Sequence, residues 1–75
     1  QIVIYPNPSS SSISIINNDN SLISEIKFLS ITGDVIKIVS NNKSNIDISN
    51  LPKGIYFLNI KTTNDEMIYK KLIIQ

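Results

Sequence analysis

The side chains that could do chemistry in this chain are six carboxylates, seven lysines, eleven serines and three tyrosines; histidine and cysteine are absent. The usual general base near neutral pH, the usual sulfur nucleophile and the soft metal ligands are therefore all missing. A serine hydroxyl needs an activating base, and this sequence supplies no ordinary one. Two carboxylates can work as an acid and base pair. Here Asp19, Glu25, Asp34, Asp47, Asp65 and Glu66 fall mostly in turn clusters or at outward positions of alternating segments, where they read as solvated surface charge. Gly33 and Gly54 are the only glycines, too far apart to form a phosphate-cradling loop. The residue inventory argues against an enzyme and calls for no cofactor.

Two weaker possibilities remain on the same inventory. Asn17-Asn18-Asp19-Asn20-Ser21 offers side-chain and backbone oxygens of the kind calcium accepts. It has a single full negative charge and lacks a bidentate glutamate, so an ordinary polar turn is the expectation and no metal is assigned. Tyr5, Tyr56 and Tyr69 supply the aromatic faces on which a sugar could stack. Tyr56 lies in the most apolar segment of the chain, and packing between elements is the expected use of all three. The scattered lysines read as a solubilising surface that also discourages strand edges from pairing with other chains.

The elements that must hold these residues are strands. Isoleucine dominates the apolar positions and alanine does not occur; branching at Cβ suits a pleated surface and mildly disfavours helix. Ser12-Ile13-Ser14-Ile15 alternates with period two, as do Glu25 to Phe28 and Asn45 to Ile48, and no useful window shows a helical period. Thr32-Gly33-Asp34 reads as a hairpin turn in which Gly33 takes a positive φ. Its second arm, Val35 to Val39, is expected to place Ile36 and Ile38 on one side and Val35, Lys37 and Val39 on the other. Leu51-Pro52-Lys53-Gly54 is a turn of defined shape. Ile55-Tyr56-Phe57-Leu58, continuing to Ile60, is apolar on both faces and predicts a central strand covered on both sides. A last strand runs from Met67 to Ile74. Ahead of all these, Tyr5-Pro6-Asn7-Pro8 fixes φ at two residues and removes two backbone donors, a stiff opening segment rather than a strand interior. Six or seven short strands with half-buried alternation call for two packed antiparallel sheets, a small all-β sandwich.

At 75 residues the chain holds one domain. Its net stability is expected at roughly 4 to 11 kcal/mol, so one large core truncation, worth about 2 to 5 kcal/mol, endangers the fold. A net charge of +1 from dispersed lysines provides no basic stripe for nucleic acid or an anionic membrane. No run of about 18 apolar residues is present, so membrane insertion as a helix is not expected. The chain opens on Gln1-Ile2-Val3-Ile4 without a basic n-region or a starting methionine, and is expected to be a piece of a longer protein.

Three stretches occur in a telling order: Tyr5-Pro6-Asn7-Pro8; Ile31-Thr32-Gly33; and Ile46-Asp47-Ile48-Ser49-Asn50-Leu51-Pro52-Lys53-Gly54-Ile55-Tyr56-Phe57-Leu58, leading to Lys70-Lys71-Leu72-Ile73-Ile74. Together they resemble the type A C-terminal sorting domain of type IX secretion cargo over essentially the whole chain; Gln75 stands where such chains often end on a basic residue. The resemblance implies an Ig-like antiparallel β-sandwich of about seven strands. It divides the chain into residues 1–4, the end of a linker or junction with an upstream cargo domain, and residues 5–75, the sorting domain. It further implies export through the periplasm to the cell surface or medium. The implied partners are the outer-membrane translocon and shuttle proteins of type IX secretion and a cell-surface sortase that usually removes the domain. The motif residues it marks are Tyr5, Pro6, Asn7, Pro8, Gly33, Leu51, Pro52, Gly54, Tyr56, Lys70 and Lys71. The rival reading is an accessory Ig-like module that binds carbohydrate or adheres, and behind it a plain structural spacer.

Overall fold

Period-two alternation decides which face of each segment is buried, and the computed structural model, which describes residues 2–17, 22–40 and 43–75, shows the outcome. Seven strands form: β1 (Ile2–Tyr5), β2 (Ser12–Asn17), β3 (Ile23–Leu29), β4 (Val35–Ser40), β5 (Ile46–Asp47), β6 (Gly54–Thr62) and β7 (Met67–Ile74). They make two antiparallel sheets, one of three strands in the order β1-β2-β5 and one of four in the order β4-β3-β6-β7. No helix occurs among the described residues.

The two sheets close on one apolar layer. The three-stranded sheet contributes Ile2, Ile4, Ile13, Ile15 and Ile46, and Ile48 follows just beyond β5. The four-stranded sheet contributes Ile23, Ile26, Phe28, Tyr56, Leu58, Ile60, Leu72 and Ile74. Phe28, Ile26, Leu58, Ile60 and Leu72 are fully enclosed, and each such side chain contributes about 1.5 to 3 kcal/mol by leaving water. Branched aliphatic side chains from facing strands fill this space, which is why a chain so rich in isoleucine forms a sandwich.

Three expectations change on contact with the structure. First, β6 pairs with both β3 and β7, yet only one of its faces is covered: Tyr56, Leu58, Ile60 and Thr62 point inward, while Ile55 and Phe57 remain 40% and 37% exposed. A two-layer sandwich buries one face of each sheet, and a strand central in its sheet is not thereby buried twice. Second, β4 divides as its alternation suggested except at Val35, which lies exposed opposite Leu29 instead of sharing the side of Lys37 and Val39. Phe28 pairs with Lys37 but Leu29 pairs with Val35, a register shift that leaves Ile36 as the additional residue of a bulge. Ile36 and Ile38 are both exposed, and Val39 packs against the core. Third, residues 2–4 belong to the sandwich itself. They form β1 with Tyr5, pair with Ile15 to Asn17, and bury Ile2 and Ile4, because Ile2 and Ile4 share a face and complete the alternation across β2.

The turn at Gly33 closes as a hairpin. The Ser30 N–H donates to the Asp34 carbonyl at 2.8 Å and the Gly33 N–H to the Ser30 carbonyl at 2.9 Å, with Gly33 at φ +94°. Thr32 Oγ1 donates to Asp34 Oδ2, and the Asp34 N–H to Ser30 Oγ, so the turn is tied by its own side chains.

Candidate recognition surface

Pro6 and Pro8 lack backbone N–H groups, so the Tyr5-Pro6-Asn7-Pro8 segment cannot make an ordinary ladder, and Asn7 replaces it with a side chain. Asn7 Nδ2 donates to the Lys71 carbonyl at 2.9 Å, and Asn7 Oδ1 accepts from the Ile73 N–H at 3.0 Å. Two residues on, the backbone takes over. The Ser9 N–H donates to the Ile73 carbonyl at 3.0 Å, and the Gln75 N–H to the Ser9 carbonyl at 2.9 Å. Ser9 is buried and its hydroxyl donates to the Ser12 carbonyl at 2.8 Å. The opening motif is thus joined to the last strand along the side of β7 that β6 does not occupy.

The Leu51-Pro52-Lys53-Gly54 turn is fixed from within. The Leu51 N–H donates to the Ile48 carbonyl at 3.1 Å and its side chain packs on the core. The buried Tyr56 reaches back to donate its hydroxyl to the Pro52 carbonyl. Gly54, at φ +151°, starts β6 opposite Ile74. Ser30 and Ile31 of the Gly33 hairpin meet Lys53, Gly54, Ile55 and Tyr56 around a hollow of about 390 Å³. Register puts these features at one end of the four-stranded sheet: Leu29 lies opposite Phe57, Gly54 opposite Ile74, and Ser9 bridges to Ile74. Tyr5 to Pro8, Gly33, Leu51 to Gly54, Tyr56 and the end of β7 are scattered in sequence; the fold gathers them around that end and the adjoining side of β7.

Lys70 and Lys71 lie on opposite faces of β7, Lys70 half-buried on the core side and Lys71 exposed. Both line an open groove of about 280 Å³ between β7 and β1, with Ile2, Val3, Ile4 and Asn7 forming the rest of its wall. Of the three tyrosines, only Tyr56 packs as expected. Tyr5 and Tyr69 are 47% and 61% exposed. They alternate with core residues on β1 and β7, in different sheets, so they face outward from opposite sides of the sandwich and form no common platform.

The described carboxylates are dispersed as surface charge. Glu25 lies 3.8 Å from Lys27, and Asp34 sits in the Gly33 turn. Asp47 accepts from the Ser49 hydroxyl at 2.6 Å and the Ser49 N–H at 2.9 Å. These two bonds hold its carboxyl below the usual carboxylate range, with a smaller contribution from Lys37. No group of three or more metal-ligating side chains converges among the described residues. The candidate calcium cluster falls largely at positions 18–21, outside the described residues.

Asn7 pairing with β7 is the feature that sequence reasoning missed, and its signal was chemical: a carboxamide, both donor and acceptor, stands between two residues that cannot donate. What the sequence did not reveal was that β7 would be a sheet edge, and so a partner within reach.

Organised turns, a tied strand end and no converging catalytic groups among the described residues define a small antiparallel β-sandwich whose distinctive features lie on its surface. Residues 3–75 match the model of the secretion system C-terminal sorting domain, and the chain belongs to that family. Membership makes it a C-terminal sorting signal of type IX secretion, links it to that secretion machinery, and implies export across the outer membrane to the cell surface or beyond. Domains of this kind are typically non-catalytic. No curated protein matches the chain.

Proposed function

We propose that this domain directs the cargo joined to it through the outer-membrane translocon of type IX secretion, is handed on by that system's shuttle proteins, and is then removed by a cell-surface sortase. The observation that carries this reading is the tie between Asn7 and β7, which joins the two ends of the matched segment into one folded surface. Tyr5 to Pro8, Gly33, Leu51, Pro52, Gly54, Tyr56, Lys70 and Lys71 are the residues proposed to build and display that surface. In this scheme the sandwich is a rigid support, and translocon and sortase recognise a folded shape rather than an extended tail.

The test is to fuse residues 1–75 to the C-terminus of a periplasmic reporter in a host with type IX secretion. Surface exposure or release of the reporter is the expected result. Retention of a correctly folded fusion in the periplasm overturns the reading. A carbohydrate-binding role gains nothing from the geometry, because Tyr5 and Tyr69 face away from each other.

A further inference from the structure

We infer that the groove between β1 and β7 is a docking site for an extended peptide segment bearing a carboxylate, and that Asn7 holds the place which a peptide group of that segment would take. The first observation is the chemistry of Asn7. Its carboxamide has the same donor and acceptor as a backbone peptide unit, and it satisfies the Lys71 carbonyl and the Ile73 N–H as a neighbouring strand would. The edge of β7 is therefore shaped to receive a peptide group and has a side-chain stand-in seated on it. Exchanging the stand-in for an incoming strand loses two hydrogen bonds and gains two. Both bonds are exposed to solvent, so exchange strips no buried group of its partner.

The second observation is the groove beside the stand-in. Its wall combines Ile2, Val3 and Ile4 with Lys70 and Lys71, and no acidic residue lines it. Its volume of about 280 Å³ lies just below the range of small-molecule sites, and it is open rather than enclosed. It suits side chains of an extended segment lying along the sheet edge. Among the described residues β1 has a strand on one side only. β7 has β6 on one side and the Asn7 to Ser9 segment on the other, so the incoming peptide meets β7 where Asn7 sits, on the Met67 side of the Ser9 bridge. Main-chain pairing supplies affinity in this mode of recognition, and alternate side chains supply selectivity. An apolar side chain fits against the exposed Val3, and a carboxylate meets the two ammonium groups.

This inference takes its biological setting from the sorting reading, but the two fail separately, since docking is read on the purified chain and export in cells. The probes are two seven-residue peptides alternating valine and threonine, one with a central glutamate and one with a central lysine. They are titrated into the 75-residue chain while backbone amide resonances are followed. The glutamate peptide is expected to shift the amides of Ile2 to Ile4 and of Met67 to Ile73, and to bind roughly threefold or more tightly than the lysine peptide, a preference that 1 M salt removes. Asn7→Ala is expected to strengthen glutamate-peptide binding about fivefold by removing the competitor. Lys71→Glu, an exposed substitution that leaves the core intact, is expected to reverse the charge preference. The inference is overturned if neither peptide binds at millimolar concentration, if the shifts map to β4, if the two peptides bind equally, or if Asn7→Ala weakens binding.

Discussion

Asn7 Oδ1 accepts a hydrogen bond from the Ile73 N–H at 3.0 Å across 66 residues of sequence, and the other end of the same carboxamide holds the Lys71 carbonyl. One side chain thereby ties the segment between the two prolines to the final strand. The consequence is thermodynamic as well as geometric, because the contact closes nearly the whole chain into a loop whose remaining cross-connections run through the sheets.

Asn7→Ala removes both bonds and is expected to lower stability by about 1 to 3 kcal/mol, each bond contributing about 0.5 to 1.5 kcal/mol. Urea unfolding should show a lower midpoint with an unchanged slope. Amide exchange at Ile73 should accelerate more than at Ile60, in the enclosed centre of β6. Asn7→Asp retains an acceptor for the Ile73 N–H but loses the donor to Lys71, and should fall between the two. Equal stability of the alanine variant and the parent chain would falsify this account of the tie.

Much of the fold was legible in the sequence because burial of one face imposes period two. Ile13 and Ile15, Ile26 and Phe28, and Ile46 and Ile48 all occupy the core as their alternation predicts. The failures come from terms that periodicity does not contain. Ile55 and Phe57 read as buried because they are apolar, but a two-layer sandwich has nothing to place over the outer face of β6. Val35 reads as sharing a side with Lys37 and Val39, but the bulge at Phe28 and Leu29 sets it opposite Leu29 and leaves it exposed, and a bulge arises from pairing with another strand, not from the strand's own pattern. The recognition surface was legible only as separate motifs. That Asn7 would meet Lys71 and Ile73 depends on β7 falling at a sheet edge, a non-local outcome that no local window of sequence encodes.

Tyr56 fixes the Leu51-Pro52-Lys53-Gly54 turn from the core side, donating its hydroxyl to the Pro52 carbonyl. Tyr56→Phe preserves the buried ring and deletes the donor, leaving a partly buried carbonyl without it. The expected loss is about 1 kcal/mol. Tyr56→Ala should lose the ring as well and cost about 3 to 5 kcal/mol, a large fraction of the roughly 4 to 11 kcal/mol available to a domain of this size. Thermal melting followed by circular dichroism separates the two. If the phenylalanine variant melts as low as the alanine variant, the hydroxyl carries more of the turn than this geometry allows.

The bonds from Ser49 to Asp47 make a modest, pH-dependent contribution whose sign follows from their chemistry. Both donors favour the ionised carboxylate and hold its folded-state pKa below the unfolded value. A group shifted in this direction contributes stability that is fully present above its unfolded pKa, near 3.9 for aspartate. That contribution is lost as pH falls from about 4 through the lower folded-state value. Asp47→Asn keeps an acceptor oxygen but no charge, so the parent chain is expected to melt slightly higher than the variant at pH 7, with the difference shrinking below pH 4. Because Asp47 is exposed at the surface, the effect is small and is best read as the pH dependence of the difference between the two melting curves. A difference that stays constant from pH 7 to pH 2.5 places the role of Asp47 in the shape of its side chain, with ionisation contributing nothing to how β5 leads into Ile48.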